Sequence, residues 1–221
     1  HGPIGFETAQ EMVMACEARE VSPLMRIGSI DEADILKALD IGVHGIQIPN
    51  VNSVADVEKI IQFSKYPPIG NRGLSPFTRA GDYSIGNSKT LTVKANENVL
   101  VGINIEGEDA INNIDQILSV PNLNGVYIGP ADMSISYGLQ PKFDVKEDPV
   151  YSNIKLIAKK AQEHNKIAGI HNGTTKYAKE MIDLGYKFIT ISSDFRAMTA
   201  YAQNIVNEMK NLDQKKEEQT Y

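Results

Sequence analysis

The sequence predicts an α/β chain of the (β/α)8 barrel class, and three observations carry that prediction. Short runs rich in Val and Ile alternate with longer stretches of helical periodicity, the pattern of a parallel sheet covered by helices. One helix–strand unit occurs twice. Ala38-Leu39-Asp40-Ile41-Gly42-Val43-His44-Gly45-Ile46-Gln47-Ile48 and Met181-Ile182-Asp183-Leu184-Gly185-Tyr186-Lys187-Phe188-Ile189-Thr190-Ile191 share a helix ending, a glycine just past it and a short strand. Finally, two carboxylates, Glu106 and Asp132, each stand just beyond a strand-like run, with one amphipathic helix between them. In a strand, helix, parallel-strand unit both strands end on the same edge of the sheet, so the two side chains emerge together.

Taken in order, helical periodicity covers Phe6 to Glu20, Asp31 to Leu39, Ser53 to Ser64, Glu108 to Ser119, Val150 to His164, Thr175 to Leu184 and Phe195 to Leu212. Strand-like runs fall at Pro23 to Ile27, Gly45 to Ile48, Val99 to Ile105, Gly125 to Ile128, Ile167 to Ile170 and Phe188 to Ser192. Between Lys65 and Asn98 the residues Pro67, Pro68, Gly70, Gly73, Pro76 and Gly81 break any period. That stretch is too long for a bare connection and is expected to cover a neighbour or pack at an interface. The runs number two fewer than the eight of a full barrel, and the chain opens on His1-Gly2-Pro3. The expectation is therefore a single partial barrel domain over residues 1–212, without the first two strands and first helix. Those elements would occupy about 45 of the roughly 250 residues such a barrel takes. The polar, charged stretch 213–221 is expected to be a frayed tail.

Composition narrows the function classes. The chain has 221 residues, 42% hydrophobic and 23% charged, enough for a full core without cross-links. Cys16 is the one cysteine, which rules out a disulfide framework within the chain and fits a reducing cytoplasm. A net charge of −6 offers no basic footprint for nucleic acid or for a membrane surface, so the expected ligands are small molecules. No apolar stretch approaches the roughly 20 residues of a membrane span.

The pair Glu106 and Asp132 reads as a divalent-cation site of two carboxylates. The second continues a turn, Gly129-Pro130-Ala131-Asp132-Met133-Ser134, whose backbone amides could hold an anion beside the cation. An acidic residue after a strand is also what a first helical turn selects, so it is the pairing that points to metal. Arg26 is a charge inside an apolar strand, which needs a reason. Lys166 and Lys187 lie at strand beginnings, the stability face of a barrel, so no Schiff-base lysine is offered at a strand end. His171 falls on the strand-end face, whereas His44 and His164 read as surface residues near helix ends.

Together with His1-Gly2, Leu24-Met25-Arg26, Leu39-Asp40-Ile41-Gly42, Tyr66-Pro67-Pro68-Ile69-Gly70-Asn71-Arg72-Gly73, Ile105-Glu106 and Ile128 to Ser134, the chain resembles the class II, metal-dependent pyruvate aldolases of the HpcH/HpaI group. That resemblance implies a (β/α)8 barrel, a homo-oligomer (hexamer or trimer of dimers) with exchanged C-terminal helices, and cleavage of a 4-hydroxy-2-oxo acid into pyruvate, or a close relative, and an aldehyde. By the same resemblance Glu106 and Asp132 would ligate Mg2+, Mn2+ or Co2+. Gly129, Pro130 and Ala131 would bind the substrate, the Ala131 amide taking its carboxylate. Arg26 would stabilise the enolate, His1 would be the acid/base, and Asp40 would raise the basicity of that histidine. Asp40 ends a helix and so belongs to the opposite face; in that role it would act across a subunit contact. Arg72 is placed away from the site, as an interface or loop-ordering residue. By the same resemblance Asn104 is a substrate-binding position; relatives usually carry a glutamine there, two residues before the metal glutamate, and the asparagine is one methylene shorter, so its contact with the bound oxo acid would be lost or bridged by water. The polar pair His171-Asn172, where apolar residues are common, points to a more polar aldehyde portion. Two alternatives stand beside this reading: a related carbon-carbon lyase acting on an acyl-CoA, and a non-catalytic barrel that binds or oligomerises.

Overall fold

In the computed structural model, the backbone is described for residues 2–84 and 88–218 and side chains for 2–83 and 90–210. The elements run α1 (Phe6–Glu17), β1 (Leu24–Arg26), α2 (Glu32–Asp40), β2 (Gly45–Ile48), α3 (Val54–Ser64), a 3-10 segment (Arg79–Ser84), α4 (Ser88–Asn98), β3 (Leu100–Asn104), α5 (Glu108–Asn112), α6 (Ile114–Leu118), β4 (Gly125–Ile128), α7 (Pro130–Ser136), α8 (Val150–Glu163), β5 (Ile167–Asn172), α9 (Thr175–Asp183), β6 (Phe188–Ile191) and α10 (Asp194–Glu218). The six strands form one sheet in the order β1-β2-β3-β4-β5-β6, every neighbouring pair parallel. A single apolar cavity of about 290 Å3 touches all six, from Leu24 on β1 to Phe188 on β6, so the sheet is curled around its own interior. β1 and β6 are its two edges among the described residues, so these form a curled six-stranded half-barrel of the kind expected for a partial barrel, and not a closed ring.

Local chemistry sets the helix boundaries. The Asp31 side chain accepts from the Asp34 N–H to start α2, and Thr174 does the same for Tyr177 at the start of α9. Ser53 and Asp56 form a reciprocal capping box on α3. The repeated helix ending is real: Gly42 and Gly185 both take positive φ, 93° and 103°, where a side chain would be strained. α8 buries Val150, Ile154, Ile157, Ala158 and Ala161, one stripe at helical spacing laid on the sheet. Fully buried Ile46, Ile48, Ile103, Ile105 and Ile128 belong to the same hydrophobic core. Each such side chain stabilises the fold by roughly 1.5–3 kcal/mol.

Several expectations are corrected. The aperiodic stretch from Lys65 contains α4, whose described residues show no buried face and hence no helical stripe. The helix expected over Glu108 to Ser119 breaks at Asn113 into α5 and α6. The turn at Gly129 to Ser134 is the start of α7, because Pro130 at the first helical position pre-sets φ without sacrificing a needed N–H. β5 runs on to Asn172, since His171 and Asn172 pair with Thr190 and Ile191 of β6. α10 continues through Glu218, past the expected tail boundary. Among the described residues no helix is long and apolar enough to cross a membrane.

Candidate metal and substrate site

The parallel topology delivers the two carboxylates to one place. Glu106 follows β3 by two residues and Asp132 stands in the first turn of α7, directly after β4. Both line a cavity of about 350 Å3 at the strand-end edge, together with Arg26 from β1 and Asn50 and Asn52 from the loop after β2. A second cavity, of about 320 Å3, shares Arg26 and Asp132 and is completed by Gln47, Asn104, Tyr127, Gly129, Pro130, Ala131, Phe143 and His171. Arg26 and Asp132 thus stand between two compartments of one depression.

Glu106 is held at both oxygens. Oε1 accepts from the Asn104 amide at 2.7 Å, and Oε2 accepts from the Asn50 backbone N–H at 3.1 Å. Asn104 is in turn fixed by Gln47, which donates to its Oδ1 at 2.6 Å. The Asp132 carboxylate lies over Gly129: a Cβ built there would stand 2.8 Å from Asp132 Oδ2. A side chain at position 129 would therefore displace the carboxylate. Pro130 carries no N–H, and the first intrahelical bond of α7 runs from Met133 N to Gly129 O at 3.0 Å. The Ala131 and Asp132 amides consequently have no acceptor within their own helix, which suits them to a negatively charged group.

The donor set fits a hard divalent cation. Two carboxylates from adjacent units line one cavity, one of them immobilised by amides, and the remaining positions of an octahedral shell would fall to water and substrate oxygens. No group of three or more His, Cys, Asp or Glu occurs among the described residues, so a cation here would rest on these two carboxylates.

On the far side of the second cavity, three side chains from adjacent strands form a chain of contacts. Tyr127 OH lies 2.5 Å from Thr190 Oγ1, which lies 3.0 Å from His171 Nδ1. Phe143 packs edge-on to the His171 ring at 4.8 Å, and the Arg196 guanidinium stacks on Phe143 at 5.1 Å. Burial, reinforced by Arg196 and opposed by Asp144, lowers the His171 pKa below its ordinary value. Burial also pushes the Tyr127 phenol up, so it stays protonated.

Of the residues expected at the site, the fold brings together Arg26, Asn104, Glu106, Gly129, Pro130, Ala131 and Asp132. Asp40 is at the other edge of the sheet, as the last residue of α2, paired at 2.8 Å with the buried Arg72, whose guanidinium stacks on Tyr66. His1 lies outside the described residues. His44 and His164 sit at the periphery beside Glu17 and Asp115. Gln47, Asn50, Asn52 and the Tyr127–Thr190 pair join the site without having been expected there. Gln47 carried a usable signal, an amide inside the apolar strand Gly45-Ile46-Gln47-Ile48.

Comparison with known proteins finds aldolases and a shared fold. A hydroxypyruvate/pyruvate aldolase of Rhizorhabdus wittichii is 32% identical over 212 residues, 96% of this chain and 83% of that protein. A 5-keto-4-deoxy-D-glucarate aldolase of an Enterobacter species is 26% identical over 210 residues, 95% of this chain and 80% of its own. The crystal structure of an HpcH/HpaI aldolase from Desulfitobacterium hafniense superposes with a TM-score of 0.89 at 26% identity, covering 95% of this chain and 80% of that one. The sequence profile of the HpcH/HpaI aldolase/citrate lyase family matches residues 5–200, and the chain belongs to that family.

Proposed function

We propose that the chain is a metal-dependent aldolase that cleaves a 4-hydroxy-2-oxo acid into pyruvate, or a close relative, and an aldehyde. The observation that carries this reading is the convergence of Glu106, Asp132 and Arg26 on one cavity at the strand-end edge. The aldolase relatives in R. wittichii and Enterobacter support it.

The chemistry asks for three things. A base must take the proton from the C4 hydroxyl, the C3–C4 bond must break with its electron pair moving toward the C2 oxygen, and that oxygen must be held while negative. Glu106 and Asp132 would hold Mg2+, Mn2+ or Co2+. A divalent cation there supplies positive charge to the 2-oxo and carboxylate oxygens of the substrate. Arg26, on the rim shared by both compartments, adds a fixed positive charge for the C2 oxygen, an effect of about 3 kcal/mol in comparable sites. The Ala131 amide orients the substrate carboxylate. His1 is proposed as the group that exchanges the proton, with Asp40 of a neighbouring copy as its partner.

The aldehyde portion then lies toward His171. We take Tyr127 to donate to Thr190 and Thr190 to His171 Nδ1, a direction the two contact distances allow and that would leave the proton of a neutral imidazole on Nε2. That donor favours an aldehyde bearing a hydroxyl or carboxylate. Oligomer formation is supported by α10, on which Phe195, Met198, Tyr201, Ile205 and Met209 form an exposed apolar stripe at helical spacing. A soluble cytoplasmic setting suits such an enzyme.

The test is pyruvate release from a panel of 4-hydroxy-2-oxo acids, first with EDTA and then with Mg2+, Mn2+ or Co2+. Release that EDTA abolishes, metal restores and Asp132→Ala removes is the expected result. Folded protein that releases no pyruvate from any of them under any metal would refute the assignment.

A further inference from the structure

We propose that Gln47 is a positioning residue of the metal site, acting on Glu106 through Asn104. The inference rests on the metal reading of Glu106 and Asp132 and adds a residue from a different strand to it.

Donor and acceptor chemistry fixes the direction of each contact. An ionised carboxylate accepts hydrogen bonds and never donates them. The 2.7 Å contact between Asn104 and Glu106 Oε1 must therefore come from the Asn104 Nδ2, which turns its Oδ1 the other way. That oxygen also only accepts, so the 2.6 Å contact from Gln47 must come from its Nε2. The charge on Glu106 thereby dictates the orientation of two amides in succession, and the amides dictate where the carboxylate stays.

The sheet makes the relay possible. Gln47 is the register partner of Gly102, and Gly102, Asn104 and Glu106 alternate along the chain in the period of a strand face. Position 102 has no side chain, so the Gln47 amide reaches along the face to Asn104 unobstructed. Asn104 is 2% exposed, so water is a poor substitute for either partner. Without the Gln47 donor, Asn104 Oδ1 would be a buried acceptor without a partner, and rotation of that amide would turn its oxygen on Glu106. The second hold on the carboxylate, from the Asn50 N–H to Oε2, also comes from the β2 side. Two of its roughly four acceptor sites are thus taken by protein donors. The others are left for the cavity it shares with Asp132.

The experiment is Mn2+ titration of the full chain, followed by electron paramagnetic resonance of the free ion, in the wild type, Asp132→Ala, Gln47→Leu and Gln47→Glu. Gln47→Leu keeps the bulk and drops the donor; Gln47→Glu keeps the shape and replaces the donor with an acceptor. Both are expected to weaken Mn2+ binding by about 10–100-fold, the range seen when a partner behind a metal ligand is lost. Activity lost at low Mn2+ should return as Mn2+ is raised. Unchanged Mn2+ affinity in both Gln47 variants, with wild-type binding abolished by Asp132→Ala, would overturn the role of Gln47 and leave the metal site standing. A wild type that binds no Mn2+ would overturn both. Should Gln47→Leu fail to fold, Gln47→Glu decides between the same two outcomes.

Discussion

The two edges of this sheet use charge in opposite ways. At the strand-start edge, charged groups are spent on the backbone. The Lys65 ammonium donates to the Asn96 and Val99 carbonyls at 2.8 and 2.7 Å, tying down the segment that leads into β3. Lys166 donates to the Leu123 carbonyl at 2.7 Å, just before β4. At the strand-end edge, Glu106 is held by amides and Asp132 leans over a glycine, and both line open cavities together with Arg26. At one edge the lysines are taken up by backbone carbonyls. The other leaves acceptor capacity for a ligand, and the same parallel topology that aligns the strands builds both.

If that contrast holds, substitutions at the two edges should separate activity from stability. The largest effect is expected from Asp132→Ala or Glu106→Gln. Pyruvate release should fall by about 10^2–10^3-fold, the scale of losing one charge-stabilising group, with the melting temperature unchanged or raised. Loss of cooperative melting in both variants would show that these carboxylates hold the fold instead. Next comes Lys65→Met, which takes the lysine donor from two partly buried carbonyls. It should lower stability by about 1–3 kcal/mol in denaturant titration while leaving kcat at saturating substrate intact.

The pH dependence sharpens the same comparison. Burial, and then the neighbouring Arg72, bring the Lys65 ammonium down to about 8 from its ordinary 10.5. The folded chain therefore releases this proton before the unfolded chain does. The pH-linked part of the stabilisation by Lys65 is complete above 10.5 and is lost as pH falls from 10.5 to 8. The stability deficit of Lys65→Met should accordingly be larger at about pH 10 than at about pH 7, and a deficit independent of pH would contradict the assignment. The smallest effect is expected at the rim. His171→Leu should raise KM for a substrate with a hydroxylated or carboxylated aldehyde portion by about tenfold, the value of one hydrogen bond to substrate, and leave an unsubstituted one nearly unaffected. Equal changes for both substrates would remove His171 from the aldehyde side.

Much of this arrangement was legible in the residues themselves. The strands Gly45–Ile48 and Gly125–Ile128 have the limits their apolar runs suggest, because each opens on a glycine packed against the neighbouring strand and is buried on the sheet. The carboxylate pair could be seen because parallel topology fixes which edge each strand end shares. What escaped were features that depend on neighbours. α4 has no buried stripe among its described residues, so no period announces it. Pro130 suggests a break in the chain yet starts α7, since a proline is harmful to a helix only after its first turn. Asn50 holds Glu106 through its backbone N–H, a donor that every residue but proline possesses and that no side-chain pattern can flag. Gln47 resembled Arg26 as a polar residue in an apolar strand, but an amide draws less notice than a charge.

Whether Glu106 and Asp132 form one cation site is tested most directly by crystals of the full chain grown with Mn2+ and measured for anomalous scattering. One strong peak within the cavity lined by Glu106 and Asp132, with Gln47, Asn104 and Glu106 still linked, is the expected result. Mn2+ found only at other acidic groups, such as Glu17 or Asp40 at the strand-start edge, with the Glu106–Asp132 cavity holding water alone, would contradict it.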